Sequence, residues 1–255
     1  MKKLALTSLL AVFVVSAANA ANVINDNPLY RPSEGHFYSM TSVASHSEHT
    51  NTWALGEEFG YGITDKLAVA VATNFAEANW FDSASWNQFA LGLNYRAVDY
   101  GNWKADIYGS YALNPVWGDH QPFLDEDYTN YMWTIGLRGG YVADGWTVAA
   151  HFAFDYMNNE SFNWDDEGVH RLRAGLDGFL SLTSEWALMA GVEYAGITDD
   201  FADNAGTWTG KLGVNYNIDA TKFIGAYISG EMEHSTGDWE FVDGFGFGVK
   251  FGIDF

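Results

Sequence analysis

Val242-Asp-Gly-Phe-Gly-Phe-Gly-Val-Lys-Phe-Gly-Ile-Asp-Phe255 closes the chain, and its reading decides the fold. From Phe245 onward every second residue is apolar: Phe245, Phe247, Val249, Phe251, Ile253 and Phe255. Between them stand Gly246, Gly248, Lys250, Gly252 and Asp254. Alternation with period two describes a strand with two unlike faces. A soluble sheet buries its apolar face under a second layer. A barrel in lipid can leave that face outward and turn the glycine and charged face inward.

Eleven earlier runs repeat the pattern. The twelve predicted strands are His36–Ala44, Thr52–Ile63, Leu67–Phe75, Trp86–Ala97, Trp103–Leu113, Tyr128–Val142, Trp146–Met157, Val169–Thr183, Trp186–Ile197, Thr207–Ile218, Lys222–Glu233 and Val242–Phe255. Runs near ten residues suit tilted membrane strands. The connectors alternate in length. Tight turns are expected at Thr64–Lys66, Asp99–Asn102, Ala143–Gly145, Ser184–Glu185 and Asp219–Thr221. Long loops are expected at Ser45–Asn51, Ala76–Ser85, Asn114–Asp127, Asn158–Gly168, Thr198–Gly206 and His234–Phe241. Short turns on one rim, long loops on the other and an even strand number describe an antiparallel up-and-down transmembrane β-barrel.

Aromatic residues make up 17% of the chain, and their placement supports that reading. Trp103, Trp146 and Trp186 begin strands just after tight turns, and Phe223 nearly does. Tyr61, Tyr95, Tyr141 and Tyr216 end strands just before one. Trp53, Trp86, Trp133 and Trp208 sit near the opposite ends. Two such belts match the two membrane interfaces.

With its terminal Phe255, its aromatic belts and its loop asymmetry, the chain resembles Gram-negative outer-membrane β-barrel proteins of the porin type. Phe59-Gly-Tyr-Gly-Ile-Thr-Asp-Lys-Leu-Ala-Val69 is also similar to the strand–turn–strand phrase of small barrel families associated with phenol-degradation operons. The resemblance implies Phe255 as the assembly signal read by the barrel-assembly machinery. It also implies outer-membrane lipid and lipopolysaccharide as surroundings, and no cofactor.

The first twenty residues read as a secretory signal peptide. Lys2 and Lys3 precede the apolar run Leu4–Val15, and Ala18-Asn19-Ala20 fits a cleavage site. That run is too short to span a bilayer as a helix. The expected organisation is a signal peptide at 1–20, a short periplasmic lead at 21–34, too small for a plug, and a barrel at 35–255. The formal charge of −21 argues against binding nucleic acid. The absence of cysteine excludes a disulfide framework. A mean hydropathy of −0.13 is compatible with a barrel, because the two faces of each strand cancel.

If the apolar parity faces lipid, the other parity lines a lumen. Its predicted charges are Glu58, Arg96, Lys104, Asp106, Arg138, Asp155, Arg171, Arg173, Asp177, Glu193, Lys211, Glu231 and Lys250, with Asp254 near the end. They could pair and fill the barrel, or line a water-filled passage. Many other inward positions are Gly or Ala, which favours a narrow channel, with Tyr108, Phe179 and Tyr227 available to constrict it. The six long connectors hold acids and no Lys or Arg. Such acids solvate a bacterial surface, or form a cation-attracting mouth or divalent-cation sites.

Hydrolytic chemistry would need histidine beside a carboxylate or hydroxyl. The candidates are His46, His49, His120, His151, His170 and His234. His151 and Asp155 share one face but lie about 13 Å apart along a strand. His170, beside Arg171 at the rim, reads as solvated. His46-Ser47-Glu48-His49 has no fixed helical metal-ligand spacing, and no Gly-x-Ser-x-Gly motif is present. No catalytic or metal residue is therefore predicted. The expected function is a narrow passive channel for small hydrophilic solutes, in a monomeric or weakly associated barrel. The alternatives are a closed structural or adhesive barrel acting through its acidic loops, and an outer-membrane hydrolase.

Overall fold

A computed structural model describes residues 27–77, 85–113, 131–158, 168–199, 205–234 and 239–255. The predicted signal peptide and most of the predicted long-loop residues lie outside them. The strands are β1 (Phe37–His46), β2 (His49–Gly62), β3 (Leu67–Glu77), β4 (Ser85–Tyr100), β5 (Trp103–Leu113), β6 (Tyr131–Ala143), β7 (Trp146–Met157), β8 (Val169–Ser181), β9 (Trp186–Ile197), β10 (Gly206–Asn217), β11 (Lys222–His234), β12 (Trp239–Phe241) and β13 (Gly246–Asp254). All pairings are antiparallel between sequence neighbours, except that β13 joins both β11 and β1. The sheet therefore closes and leaves no edge.

The wall has twelve strands, as the sequence predicts, because β12 and β13 are two parts of its last one. Both pair with β11, β12 at Met232–His234 and β13 at Lys222–Ser229. Gly244, at φ 84°, breaks the predicted continuous run between them. The first predicted loop also contracts. β1 and β2 extend toward each other until only Ser47 and Glu48 separate them. At the fourth strand a bulge between Arg96 and Val98 lets pairing continue to Tyr100, inside the predicted turn. Tight turns close with local hydrogen bonds. At the last of them the Thr221 amide and hydroxyl each donate to the Asp219 carboxylate at 2.8 Å, with Lys222 at 3.0 Å. The amide bond foremost, these contacts hold that carboxyl down to about 2.

The aromatic belts form as contacts. On the turn rim Tyr141 meets Trp103 at 5.2 Å and Trp146 at 5.4 Å, and Trp186 meets Tyr216 at 4.9 Å. On the other rim Tyr111 meets Trp133 at 4.5 Å, and Tyr194 meets Trp208 at 5.1 Å. Phe223 departs from the predicted belt. It points inward and is fully buried, because its neighbour Ile224 takes the outward parity.

The inward glycines do not simply leave space. Tyr38, Tyr108, Phe223, Tyr227 and His151 each face a glycine across a strand pair: Gly60, Gly136, Gly252, Gly248 and Gly175. A Cβ at Gly60 would stand 2.1 Å from the Tyr38 ring, and one at Gly136 would stand 2.3 Å from that of Tyr108. These glycines are the seats on which rings lie against the inner wall.

The lead also enters the barrel, contrary to the expectation that it is too small for a plug. Pro28, Leu29 and Pro32 are buried. The Pro28 carbonyl accepts from Arg138 at 3.2 Å and the Leu29 carbonyl from Arg96 at 2.8 Å. The Tyr30 hydroxyl donates to Asp254 at 2.8 Å. At the turn-side rim Gly35 donates its amide to the Gly62 carbonyl at 2.8 Å.

Phe255 clasps the seam. Its amide donates to the Phe37 carbonyl at 2.9 Å, and the Phe37 amide donates back at 2.8 Å. Their rings stack at 6.3 Å. Deleting Phe255 removes all three contacts, whereas Phe255→Tyr keeps them. The deletion should therefore lower the yield of heat-modifiable folded barrel, read as a mobility shift on unboiled SDS gels, and Phe255→Tyr should not. Equal yields from both would refute the clasp.

Candidate functional site

The inner wall carries its charges in rows. Arg96 of β4 faces Asp106 of β5, Asp106 faces Arg138 of β6, and Arg138 faces His151 of β7. The order of strands puts these groups at one depth, although the sequence separates them widely. Arg96 binds Asp106 through its Nε and Nη2 in a buried pair. Arg138 stacks over Tyr108 at 5.2 Å and also holds the lead.

A second cluster spans β6 to β9. Asp155 is fully buried and accepts from Thr134 at 2.8 Å, Arg171 at 2.8 Å and Arg173 at 2.8 Å. Arg173 reaches on to Glu193 at 3.5 Å. His151 bridges two carboxylates, Asp177 through Nδ1 and Glu193 through Nε2, each at 2.9 Å. Asp155, four places along the same strand, is too far away to be the companion of His151, as the sequence spacing implies. The actual companions come from β8 and β9, since neighbouring strands lie closer than residues four apart on one strand. Both ring nitrogens face carboxylate oxygens, so neither is open to a hydroxyl nucleophile, as a general base requires.

The other predicted lumen residues are more scattered. Glu58 is buried and accepts from the Tyr38 hydroxyl at 2.8 Å. Lys211 lies 4.0 Å over the Tyr227 ring, and Lys250 lies 5.6 Å from the same ring. The Lys250 ammonium also approaches the Met189 sulfur of β9 at 3.2 Å. Lys104 pairs with Asp99 at the turn rim. Glu231 is half-buried near the opposite end of β11. His170, expected to be solvated, is tied to Asp199, which accepts from its amide at 2.6 Å and meets its Nδ1 at 2.8 Å. His120 and most of the acidic loop residues lie outside the described residues. Among the described residues no group of three or more His, Asp or Glu could hold a metal ion.

No family model and no curated protein matches the chain. Solved structures do. The NanC porin superposes with a TM-score of 0.57 over 85% of this chain and 98% of its own, at 10% identity. A KdgM porin in complex with disordered oligogalacturonate gives 0.56 over 86% of this chain and 99% of its own, at 11% identity. At such identities the likeness is one of fold. The chain has the closed antiparallel architecture of the outer-membrane β-barrel porins.

The buried ion pairs make a prediction. Asp155→Ala would leave Arg171 and Arg173 without their shared carboxylate in a nearly dry wall. Breaking a buried pair from one side costs ~3–5 kcal/mol. Lys211→Ala removes a half-buried cation packed on a ring and should cost clearly less. Urea unfolding of both variants in lipid vesicles checks the order, and a larger loss for Lys211→Ala would contradict the assignment.

Proposed function

We propose that this protein is exported by its signal peptide to the outer membrane of a Gram-negative cell. There it acts as a narrow passive channel for small hydrophilic solutes. One observation carries the reading. Most inward side chains are buried, yet two facing groups remain partly open to water. Ser42, Gly56 and Ala72 lie on β1 to β3, and Asp177, Gly191, Glu193 and Lys211 lie on β8 to β10. In a ring of twelve strands these arcs stand on opposite sides. Their small and charged groups leave a polar strip down the lumen. Eight strands are about filled by side chains and sixteen leave an open channel, so twelve with a partly filled interior suit a narrow passage. The porin fold of NanC and KdgM supports the same reading.

The buried Asp155 cluster and the inserted lead favour a second reading, a closed barrel acting through its outer loops. Single-channel recording in planar bilayers separates the two. The channel reading expects conductance from the wild-type barrel and a larger conductance when residues 21–32 are deleted. It also expects Lys211→Glu to shift selectivity toward cations, more at low salt than at high, since salt screens the charge. A silent wild-type barrel that stays silent without its lead would establish the closed reading instead.

A further inference from the structure

Among the described residues the inward cations of the wall find partners, with one exception. Arg96, Arg138, Arg171, Arg173 and Lys104 each donate to an oxygen. Lys250 approaches the Met189 sulfur at 3.2 Å. Lys211 differs. Among the described residues it has neither a hydrogen bond nor an ion pair, and its half-buried ammonium lies 4.0 Å over the Tyr227 ring. The acids aligned near it are already engaged. Asp177, which shares a row with Lys211 through Gly191, meets His151 at 2.9 Å, and Glu193 meets His151 and Arg173. A ring face stabilises an ammonium that has lost part of its water. It takes the place of one of three N–H donors and leaves the others for the lumen.

Lys250 completes the surroundings. Tyr227 sits on β11 midway between Ser229, which faces Lys211, and Gly225, which faces Lys250. Its ring lies on Gly248, where a Cβ would stand 2.6 Å away, and the Lys250 ammonium is 5.6 Å from its centre. Two ammoniums, from β10 and β13, therefore converge on one ring. Like charges gathered in this way repel, and an anion beside them relieves the repulsion. The geometry points to a binding site in the lumen for small organic anions, which would set one carboxylate on Lys211 with Lys250 beyond the ring. Ser229 adds a hydroxyl beside the first lysine, and Ser42 of β1 faces the second. Asp177 and Glu193 flank the site on the other side, and their charges disfavour a dianion such as a phosphate monoester. The site deepens the passage proposed above and rests on it for access. A solute carrying a single carboxylate would be drawn down the lumen and held at this point.

Reductive methylation read by mass spectrometry reports which lysines are covered. The folded barrel is labelled in lipid vesicles at constant ionic strength, with gluconate as the carboxylate probe and sorbitol as its uncharged analogue. By mass action, gluconate at ~10 times its dissociation constant should slow methylation of Lys211 ~10-fold. It should leave Lys222, on an exposed turn, unchanged, and sorbitol should protect neither. Lys250→Met keeps the length of the side chain, so this variant should retain the heat-modifiable mobility of a folded barrel and lose most of the protection. In planar bilayers gluconate, and not sorbitol, should interrupt the chloride current. Equal protection of Lys211 and Lys222 would overturn the site. So would equal protection by sorbitol, undiminished protection in folded Lys250→Met, or a Lys211 that does not react even without gluconate. The passage fails differently. A silent barrel whose Lys211 is still protected by gluconate would sink the passage and uphold the site, in a lumen reached from one mouth only. A conducting barrel whose Lys211 stays unprotected would overturn the site and keep the passage.

Discussion

Hydrocarbon cannot hydrogen-bond a peptide group, and the rest of this structure depends on that. Every backbone N–H and C=O at membrane depth must find its partner within the sheet. A curved sheet meets the demand only when its first and last strands join. Here the seam runs from Tyr38 opposite Asp254 to His46 opposite Gly246, with Phe37 and Phe255 bonded beyond it. Register at the seam is also specified by side chains. A slip of one residue would exchange the faces of β13. Lys250 would then meet lipid, where a lysine near the midplane costs ~2–4 kcal/mol, and Val249 would enter the lumen.

Closure fixes a second problem, the interior. Twelve strands enclose more width than the side chains of an eight-stranded barrel have to fill. This chain narrows that width in two ways. Rings are laid flat on glycines of the neighbouring strand, as Tyr38 is on Gly60 and Tyr227 on Gly248. The lead is drawn in from the turn-side rim by Arg96 and Arg138, which bond its carbonyls. The charges serve the same end. Asp106 and Asp155 are matched by arginines of adjacent strands, so most of the network lies along one wall. The inward residues left half-buried include the small ones of β1–β3 and the groups around Asp177 and Lys211.

The wall was legible in the sequence because a closed barrel writes its geometry locally. Alternation gives the faces, turns give the strand ends, and Trp103, Trp146 and Trp186 mark one rim. The inward parity of Arg138, Asp155 and Lys211 follows from the residues beside them. Partnerships were not legible, because they depend on the stagger between strands. His151 meets Glu193 only because β7, β8 and β9 align His151, Gly175 and Glu193 in one row. The role of the lead was hidden for a similar reason. Nothing in Pro28-Leu29 signals burial until two arginines from β4 and β6 converge on their carbonyls. The inward glycines are visible in the sequence, but the rings that cover them sit on other strands, so alternation alone does not show that their space is filled.

Departures from a local rule carry as much information as the rule. Glu57-Glu58 is the one place in a strand body where two acids stand side by side and alternation fails. The two residues resolve it on opposite faces. Glu58 turns inward beneath the Tyr38 hydroxyl, and Glu57 turns outward between Ser39 and Thr41. Each carboxyl is thus met by hydroxyls of β1, the strand that also forms the seam. For Glu58 the arrangement completes a buried interior contact. For Glu57 the same arrangement sits where Val and Leu occupy the corresponding positions of other strands.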